Sequence, residues 1–235
     1  MKISIIVPVY NEQDTIGRIL DKIFSAKLPT GMVKEVIVID DGSSDGTSKQ
    51  LTQINGNFRL LTHQQNQGKG SAINTGLNVA TGDLILIQDA DLEYDPGDYA
   101  RLLEPFKSKN VQVVYGSRLI NYPLQLFGKH KTPMPTHFVA NKFLTNLTNF
   151  LYGNNVTDME TGYKVFHRDL LALLNLKSKR FDFEPEVTAK ILKRGVTIHE
   201  VPIKVKPRSY AQGKKISWKD GFVAIWTLIK YRFVD

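Results

Sequence analysis

Leu84-Ile85-Leu86-Ile87-Gln88-Asp89-Ala90-Asp91 is a short run of branched aliphatic residues that ends in two carboxylates. The run Leu84–Asp89 is too short for a helix and its aliphatic part has no polar face, so it reads as a strand buried on both sides. Carboxylates at i and i+2 fall on one side of the chain, where their mutual repulsion calls for a positive charge. A hard divalent cation meets that need, taking oxygens from one or two carboxylates and from a substrate's phosphates. An acidic turn leading into Asp95-Pro96-Gly97 is the other reading of the same residues.

Working outward, Ile3–Val7, Glu35–Asp40 and Val111–Tyr115 are further short β-branched runs bounded by Gly, Pro, Asp or Asn. Ile16, Ile19, Leu20, Ile23 and Phe24 recur at helical spacing between the first two, and Ala72, Ile73, Gly76, Leu77 and Ala80 do so before Leu84. Strand–helix alternation over the first 115 residues predicts a mostly parallel sheet flanked by helices. Ligands of such sheets bind at the carboxyl ends of the strands, where Asn11, Asp40-Asp41 and Asp89–Asp91 fall. Further on, Leu119–His137 holds Pro123, Pro133, Pro135 and the basic run Lys129-His130-Lys131 and reads as a long loop. A helix bearing Phe143, Leu144, Leu147, Phe150 and Leu151 is expected next, then strands at Tyr163–Phe166 and Thr197–Val205. With no repeat and no low-complexity linker, the expectation is one α/β domain over 1–207 and a basic, aromatic tail over 208–235.

The 31 Lys and Arg exceed the 23 Asp and Glu among 235 residues, a net charge of +8 that suits a polyanionic partner. The absence of Cys excludes a disulfide scaffold, thiolate catalysis and zinc–cysteine sites. No apolar stretch reaches the about 18 residues of a membrane span, and the apolar start MKISIIVPVY is too short for a signal peptide.

Asp40-Asp41-Gly42-Ser43-Ser44-Asp45-Gly46-Thr47 combines turn glycines and N-cap residues with two strand-end carboxylates, either of which suits a base or ribose hydroxyl. Asn66-Gln67-Gly68-Lys69-Gly70-Ser71 is not an ATP-binding P-loop, since position 63 is His and Gly70 follows the lysine. It suits a helix start close to ligand, or plain helix–sheet packing. No GxGxxG supports a nicotinamide cofactor. Asp158 and Glu160 lie in an irregular segment and are candidates to face a substrate, with an acidic turn as the alternative. Asp182, Glu184, Pro185 and Glu186 make a good helix start, which favours a structural role. His63, His167 and His199 sit in strand-like sequence and read as packed or exposed, and His130 and His137 have no third ligand for zinc.

Taken together, Val7–Glu12, Ile39–Thr47, Asn66–Gly70, Ala80–Asp83 and Gln88–Asp91 occur in the order and spacing of family 2 glycosyltransferases with the GT-A fold. Gly116-Ser117-Arg118, Asp158–Tyr163, Phe181–Glu186 and Arg208–Gly221 resemble its polyprenyl-phosphate branch, typified by dolichol-phosphate mannose synthases. The resemblance implies a Rossmann-like, mostly parallel sheet and a nucleotide-sugar site of Pro8, Tyr10, Glu12, Ile39, Asp41, Lys69, Asp89 and Ala90. It implies Mg²⁺ or Mn²⁺ on Asp89 and Asp91, and Arg118, Arg208 and Lys214 near the acceptor phosphate. Asp91, Asp158 and Arg118 are then the catalytic set, with Asp158 orienting acceptor or sugar. Glu93 stands where the mannose synthases have Gln, which weakens a GDP-mannose assignment.

The expected activity is inverting transfer of one sugar from a UDP- or GDP-sugar to a polyprenyl (dolichyl or undecaprenyl) phosphate on the cytosolic membrane face. Lys204, Lys206, Arg208, Lys214, Lys215 and Lys219 precede or flank an amphipathic helix bearing Trp218, Phe222, Ile225, Trp226, Ile229 and Phe233, which suits peripheral membrane contact. Two rivals are a glycosyltransferase acting on a soluble hydroxyl, which would need Asp158 or Glu160 as base, and a nucleic-acid-binding module. The latter has no RRM, KH or helix-turn-helix signature.

Overall fold

The computed structural model describes residues 1–120, 134–208 and 218–234. Strands are β1 (Lys2–Val9), β2 (Val33–Asp40), β3 (Arg59–Thr62), β4 (Leu84–Ile87), β5 (Val113–Ser117), β6 (Lys164–His167) and β7 (His199–Pro202). Helices are α1 (Ile16–Ser25), α2 (Thr47–Gln53), α3 (Lys69–Leu77), α4 (Tyr99–Leu103), α5 (Pro135–Tyr152), α6 (Arg168–Leu173), α7 (Phe183–Lys193) and α8 (Trp218–Phe233). One sheet takes the order β3-β2-β1-β4-β6-β5-β7. β1 pairs in parallel with β2 and β4, and β2 with β3. β6 is antiparallel to both β4 and β5, while β7 is parallel to β5, so β6 is the one reversed strand.

The uniformly apolar strands are explained by helices on both faces. Ile5, Val7, Val36, Val38, Leu84 and Leu86 pack with Ile16, Ile19, Leu20 and Ile23 of α1 on one face. Ile6, Ile37, Ile39, Ile85 and Ile87 pack with Ala72 and Ile73 of α3 and Val187 and Ile191 of α7 on the other. Chain order reverses between β1 and β4, because β2 and β3 grow the sheet one way and β4 the other. The crevice at that reversal, at the carboxyl ends, is where a ligand site is expected in such sheets.

One expectation is corrected. Pro135–His137, read as loop, form the first turn of α5, with Pro135 at a first-turn position that needs no N–H. In α5 the core is made by Leu144, Thr145 and Thr148, whereas Phe143 and Phe150 are exposed. The remainder of that loop, 121–133 with its basic run, lies outside the described residues, as does 209–217. α8 is part of the fold's core: Ala224, Leu228 and Tyr231 join the same apolar cluster as α7. Its other face, Trp218, Phe222, Trp226, Ile229 and Phe233, is exposed among the described residues. Among the described residues no helix is long and apolar enough to cross a membrane.

Candidate active site

Past β1 and β2 the chain knits two turns together. Asn11, in the left-handed region at φ 50°, donates its N–H to Ser43 Oγ and accepts from Ser44 N–H at 2.8 Å. Glu12 N–H donates to Thr47 Oγ1 at 2.8 Å. The adjacent aspartates then divide their work. Asp40 stays within its own turn, accepting from Ser43 N–H and Ser48 Oγ. Asp41 reaches across to the glycine turn: Oδ1 accepts from Gln67 N–H at 2.9 Å and Oδ2 from Gly68 N–H at 2.7 Å. Gly68 has φ +99°, and a Cβ there would strike the Lys179 carbonyl, so this turn is closed to other residues. His63, one residue past β3, completes the group, with Nδ1 2.6 Å from Asp41 Oδ1 and Nε2 2.9 Å from Thr75 Oγ1.

Lys69, the first residue of α3, is held between Asp89 and Glu184, with Nζ 2.7 Å from Asp89 Oδ1 and 2.7 Å from Glu184 Oε1. Burial works against its charge, but the two carboxylates outweigh it and hold the ammonium above its ordinary range. Among the described residues Asp91 has no such partner. Burial, followed by the charges of Asp89, Glu93 and Glu12, pushes its carboxyl up to about 7. The i, i+2 pair is thus half compensated by lysine. Among the described residues no group of three or more His, Cys, Asp or Glu is placed to hold a metal. An all-oxygen carboxylate pair with excess negative charge nevertheless fits a hard divalent cation whose remaining ligands are phosphate and water. Gly162 closes over the pair, since a Cβ there would collide with Asp89 Oδ2 and the Tyr94 ring.

Across the pocket, Arg118 follows β5. Its Nε and Nη2 donate to Asp158 Oδ2 and Oδ1 at 2.7 Å each, and its backbone N–H to Oδ2 at 2.9 Å. Asp158 is fully buried, yet Arg118 holds its carboxyl below the usual range despite that burial. Glu200 accepts from the Thr157 and Asp158 N–H groups and fixes the segment from below. Lys164 is buried, donating to the Met159 and Thr161 carbonyls and lying 4.3 Å from the Tyr115 ring centre. Burial lowers its ammonium to about 8. Glu160 lies between these groups, and burial, then the Glu184 charge, pushes its carboxyl up to about 7.

A strap over 205–208 crosses the mouth. Lys206 N–H donates to the Glu93 carbonyl and Arg208 N–H to Glu93 Oε1 at 2.9 Å, while Arg208 Nη1 meets both Glu12 oxygens at 2.9 and 3.0 Å. Glu93, which stands where the mannose synthases have Gln, therefore spends one oxygen on the strap.

These groups line a cavity of about 710 Å³. Pro8, Tyr10, Glu12, Asp41, Lys69, Asp89, Ala90, Asp91, Arg118 and Arg208 all face it, as the sequence analysis expected of site residues. Two do not. Ile39 is fully buried in the core against α3, because its position on β2 points it into the sheet face. Asp158 has both oxygens on Arg118, and Glu160, two residues on, lines the cavity in its place. Lys214 lies outside the described residues. His63 and Glu184 were missed as site residues: β3 has four residues with polar ends, and the helix-start reading of Glu184 does not show that it faces Lys69. Trp218, Asp220 and Gly221 of α8, with Thr136, His137 and Ala140 of α5, complete the mouth.

The model for glycosyl transferase family 2 matches residues 4–174. The chain belongs to this family. A family member of Methanococcus voltae, UDP-N-acetylglucosamine–dolichyl-phosphate N-acetylglucosaminyltransferase, is 29% identical over 97% of this chain and 94% of its own length. The undecaprenyl-phosphate 4-deoxy-4-formamido-L-arabinose transferase of Klebsiella pneumoniae is 30% identical over 91% of this chain, which spans 62% of that relative. Glucosyl-3-phosphoglycerate synthase from Mycobacterium tuberculosis, solved with UDP, superposes with a TM-score of 0.73 at 24% identity, covering 100% of this chain and 81% of the other. That likeness establishes the GT-A fold class expected from the sequence. The same enzyme has been crystallised with UDP and Mn²⁺ or Mg²⁺.

Proposed function

We propose that this family 2 glycosyltransferase moves one sugar from a nucleotide sugar, a UDP- or GDP-sugar, to a polyprenyl phosphate at the cytosolic membrane surface. The observation that carries the reading is that one cavity is lined by the strand-end carboxylates, by Arg118 and by Trp218, which is 73% exposed and begins the exposed aromatic stripe of α8. The two polyprenyl-phosphate transferases among its relatives support the same acceptor class.

Asp89 and Asp91 would hold Mg²⁺ or Mn²⁺, which supplies charge neutralisation to the departing nucleoside diphosphate. Lys69, fixed by Asp89 and Glu184, contributes a permanent positive charge at the same end. Tyr10, Asp41 and the 67–68 turn form the nucleoside end, with His63 holding Asp41 in place. Arg118, clamped by Asp158, presents a preset guanidinium to the acceptor phosphate. A phosphate monoester has a second pKa of about 6, so the attacking oxygen is already anionic near neutrality and needs no general base. Direct attack on the anomeric carbon inverts its configuration.

Two helices make the membrane side. Trp218, Phe222, Trp226, Ile229 and Phe233 follow one face of α8, and Val139, Phe143 and Phe150 follow one face of the neighbouring α5, all exposed. Aromatic side chains at the headgroup level and flanking lysines, each adding up to about 1 kcal/mol on anionic lipid, give peripheral, salt-sensitive attachment. The test is incubation with a panel of radiolabelled UDP- and GDP-sugars, a short polyprenyl phosphate and Mg²⁺ or Mn²⁺. Label extracted with the lipid for one donor supports the reading, and no lipid label from any donor refutes it.

A further inference from the structure

Among the described residues the acids beside Glu160 are each taken by a cation or by backbone N–H groups. Asp158 is taken by Arg118, Glu184 by Lys69, and Glu186 by Lys190 and the N–H groups of Lys177 and Ser178. Among the described residues Glu160 Oε1 is the only buried carboxylate oxygen without a hydrogen-bond partner, and Glu160 lines the cavity. The nearby ammonium of Lys164 donates to the Met159 and Thr161 carbonyls and makes no hydrogen bond to Oε1. A buried carboxylate oxygen left unpaired is costly, so the site is complete only when something donates to it.

The position says which part of a substrate that is. Two residues before Glu160, Asp158 clamps Arg118 at the acceptor end; two residues after it, Gly162 packs against Asp89 at the diphosphate end. Between a departing diphosphate and an attacking phosphate lies the sugar ring. Oε1 needs a donor; diphosphate oxygens and those of a phosphate dianion carry no hydrogen and have nothing to offer it, whereas ring hydroxyls do. Glu184, although paired with Lys69, still raises the negative potential felt at Glu160, which opposes a sugar bearing its own carboxylate. We propose that Glu160 accepts a hydrogen bond from a hydroxyl of the transferred sugar and so selects a neutral hydroxylated sugar against a uronic acid. This rests on the glycosyl-transfer reading above and deepens it.

The experiment is calorimetric titration of the full-length wild type, E160A and E160Q, with Mg²⁺, against UDP, UDP-N-acetylglucosamine, UDP-glucose, UDP-glucuronic acid, GDP and GDP-mannose. For the sugar nucleotide that wild type binds best, E160A is expected to lose about 10- to 100-fold in affinity, the span of a hydrogen bond to a charged acceptor. Binding of the bare nucleoside diphosphate should change less than about twofold on the same scale, which also reports that the variant is folded. E160Q keeps a carbonyl oxygen but not the charge, so it should retain part of the neutral-sugar affinity and gain affinity for UDP-glucuronic acid. Equal losses for sugar nucleotide and bare nucleotide, no loss for either, or wild type binding UDP-glucuronic acid as well as UDP-glucose would overturn the assignment of Glu160 alone. Wild type that binds no sugar nucleotide overturns the glycosyl-transfer reading, and this inference with it.

Discussion

Replacing Asp158 by Asn keeps the side chain's shape and removes its charge, and the structure sets the cost. Asp158 is fully buried and receives three donors from Arg118, whose own side chain is only 18% exposed. The amide retains one acceptor oxygen for Nε or the backbone N–H, but its NH₂ meets Nη2 donor to donor and leaves a guanidinium uncompensated. Breaking a buried ion pair from one side costs about 3–5 kcal/mol. At about 2–4 °C per kcal/mol for a chain of this size, the melting temperature should fall by roughly 6–20 °C. Thermal and urea unfolding measure this, and acceptor kinetics on the folded fraction should show a raised KM for polyprenyl phosphate with donor binding retained. The pH dependence has a fixed sign. Because Arg118 holds the Asp158 carboxyl below its usual value, its stabilisation is fully present above the ordinary aspartate pKa of about 3.9 and is lost as pH falls below that. D158N should therefore lose stability relative to wild type at neutral pH, with the gap narrowing in acid. A paired R118M/D158L variant should recover part of the stability and none of the activity. A D158N protein within about 1 kcal/mol of wild type at pH 7, with unchanged acceptor KM, would refute the clamp.

The other expectations follow from the same geometry. D89A and D91A should each abolish transfer, D91A with an unfolding curve near wild type and D89A with some loss of stability because Lys69 keeps only Glu184, and full wild-type activity in chelator would remove the metal from the account. H63A frees Asp41 from one of its donors and should weaken nucleoside diphosphate binding about 3- to 10-fold, the worth of about one hydrogen bond; unchanged binding by calorimetry would make His63 a packing residue. R118A should impair lipid-phosphate use more than donor hydrolysis. R208A should do the same if it holds phosphate, whereas loss of donor binding alone would show that it acts through Glu12. Replacing Phe222 and Trp226 by Ser on the exposed face of α8 should reduce co-sedimentation with anionic vesicles without altering the fold, and equal sedimentation would clear that face of membrane contact.

Much of the fold was legible because β1, β2 and β4 carry their own instruction, whereas the short, polar-ended β3 does not. Ile3–Val7, Val36–Ile39 and Leu84–Ile87 are buried on both faces, so their largely apolar character is local. The reversed β6 was not readable, since its place between β4 and β5 is decided by pairing with strands far away in sequence. The same distinction divides the site. Asp41, Asp89 and Asp91 sit at strand ends, where sequence position and spatial position coincide. Lys69 and Glu184 are 115 residues apart, and only the fold brings them into contact. Asp158 and Glu160 were indistinguishable as sequence. Their segment has no regular period, and the structure turns one toward Arg118 and the other toward the cavity. α8 showed its aromatic stripe plainly, but which face would pack depended on Ala224, Leu228 and Tyr231 meeting the α5–α7 surface.

The acceptor is the centre of the account, and a direct competition tests it. With the preferred donor and Mg²⁺ or Mn²⁺, initial rates are measured on a short polyprenyl phosphate, on the corresponding polyprenol, and on a soluble sugar acceptor, each alone and then with the phosphate added. The account predicts transfer to the phosphate without a rate fall between pH 7 and 8, since that acceptor is ionised above its second pKa of about 6, and none to the alcohol or the sugar. Transfer to the soluble hydroxyl, undiminished by polyprenyl phosphate, would contradict it.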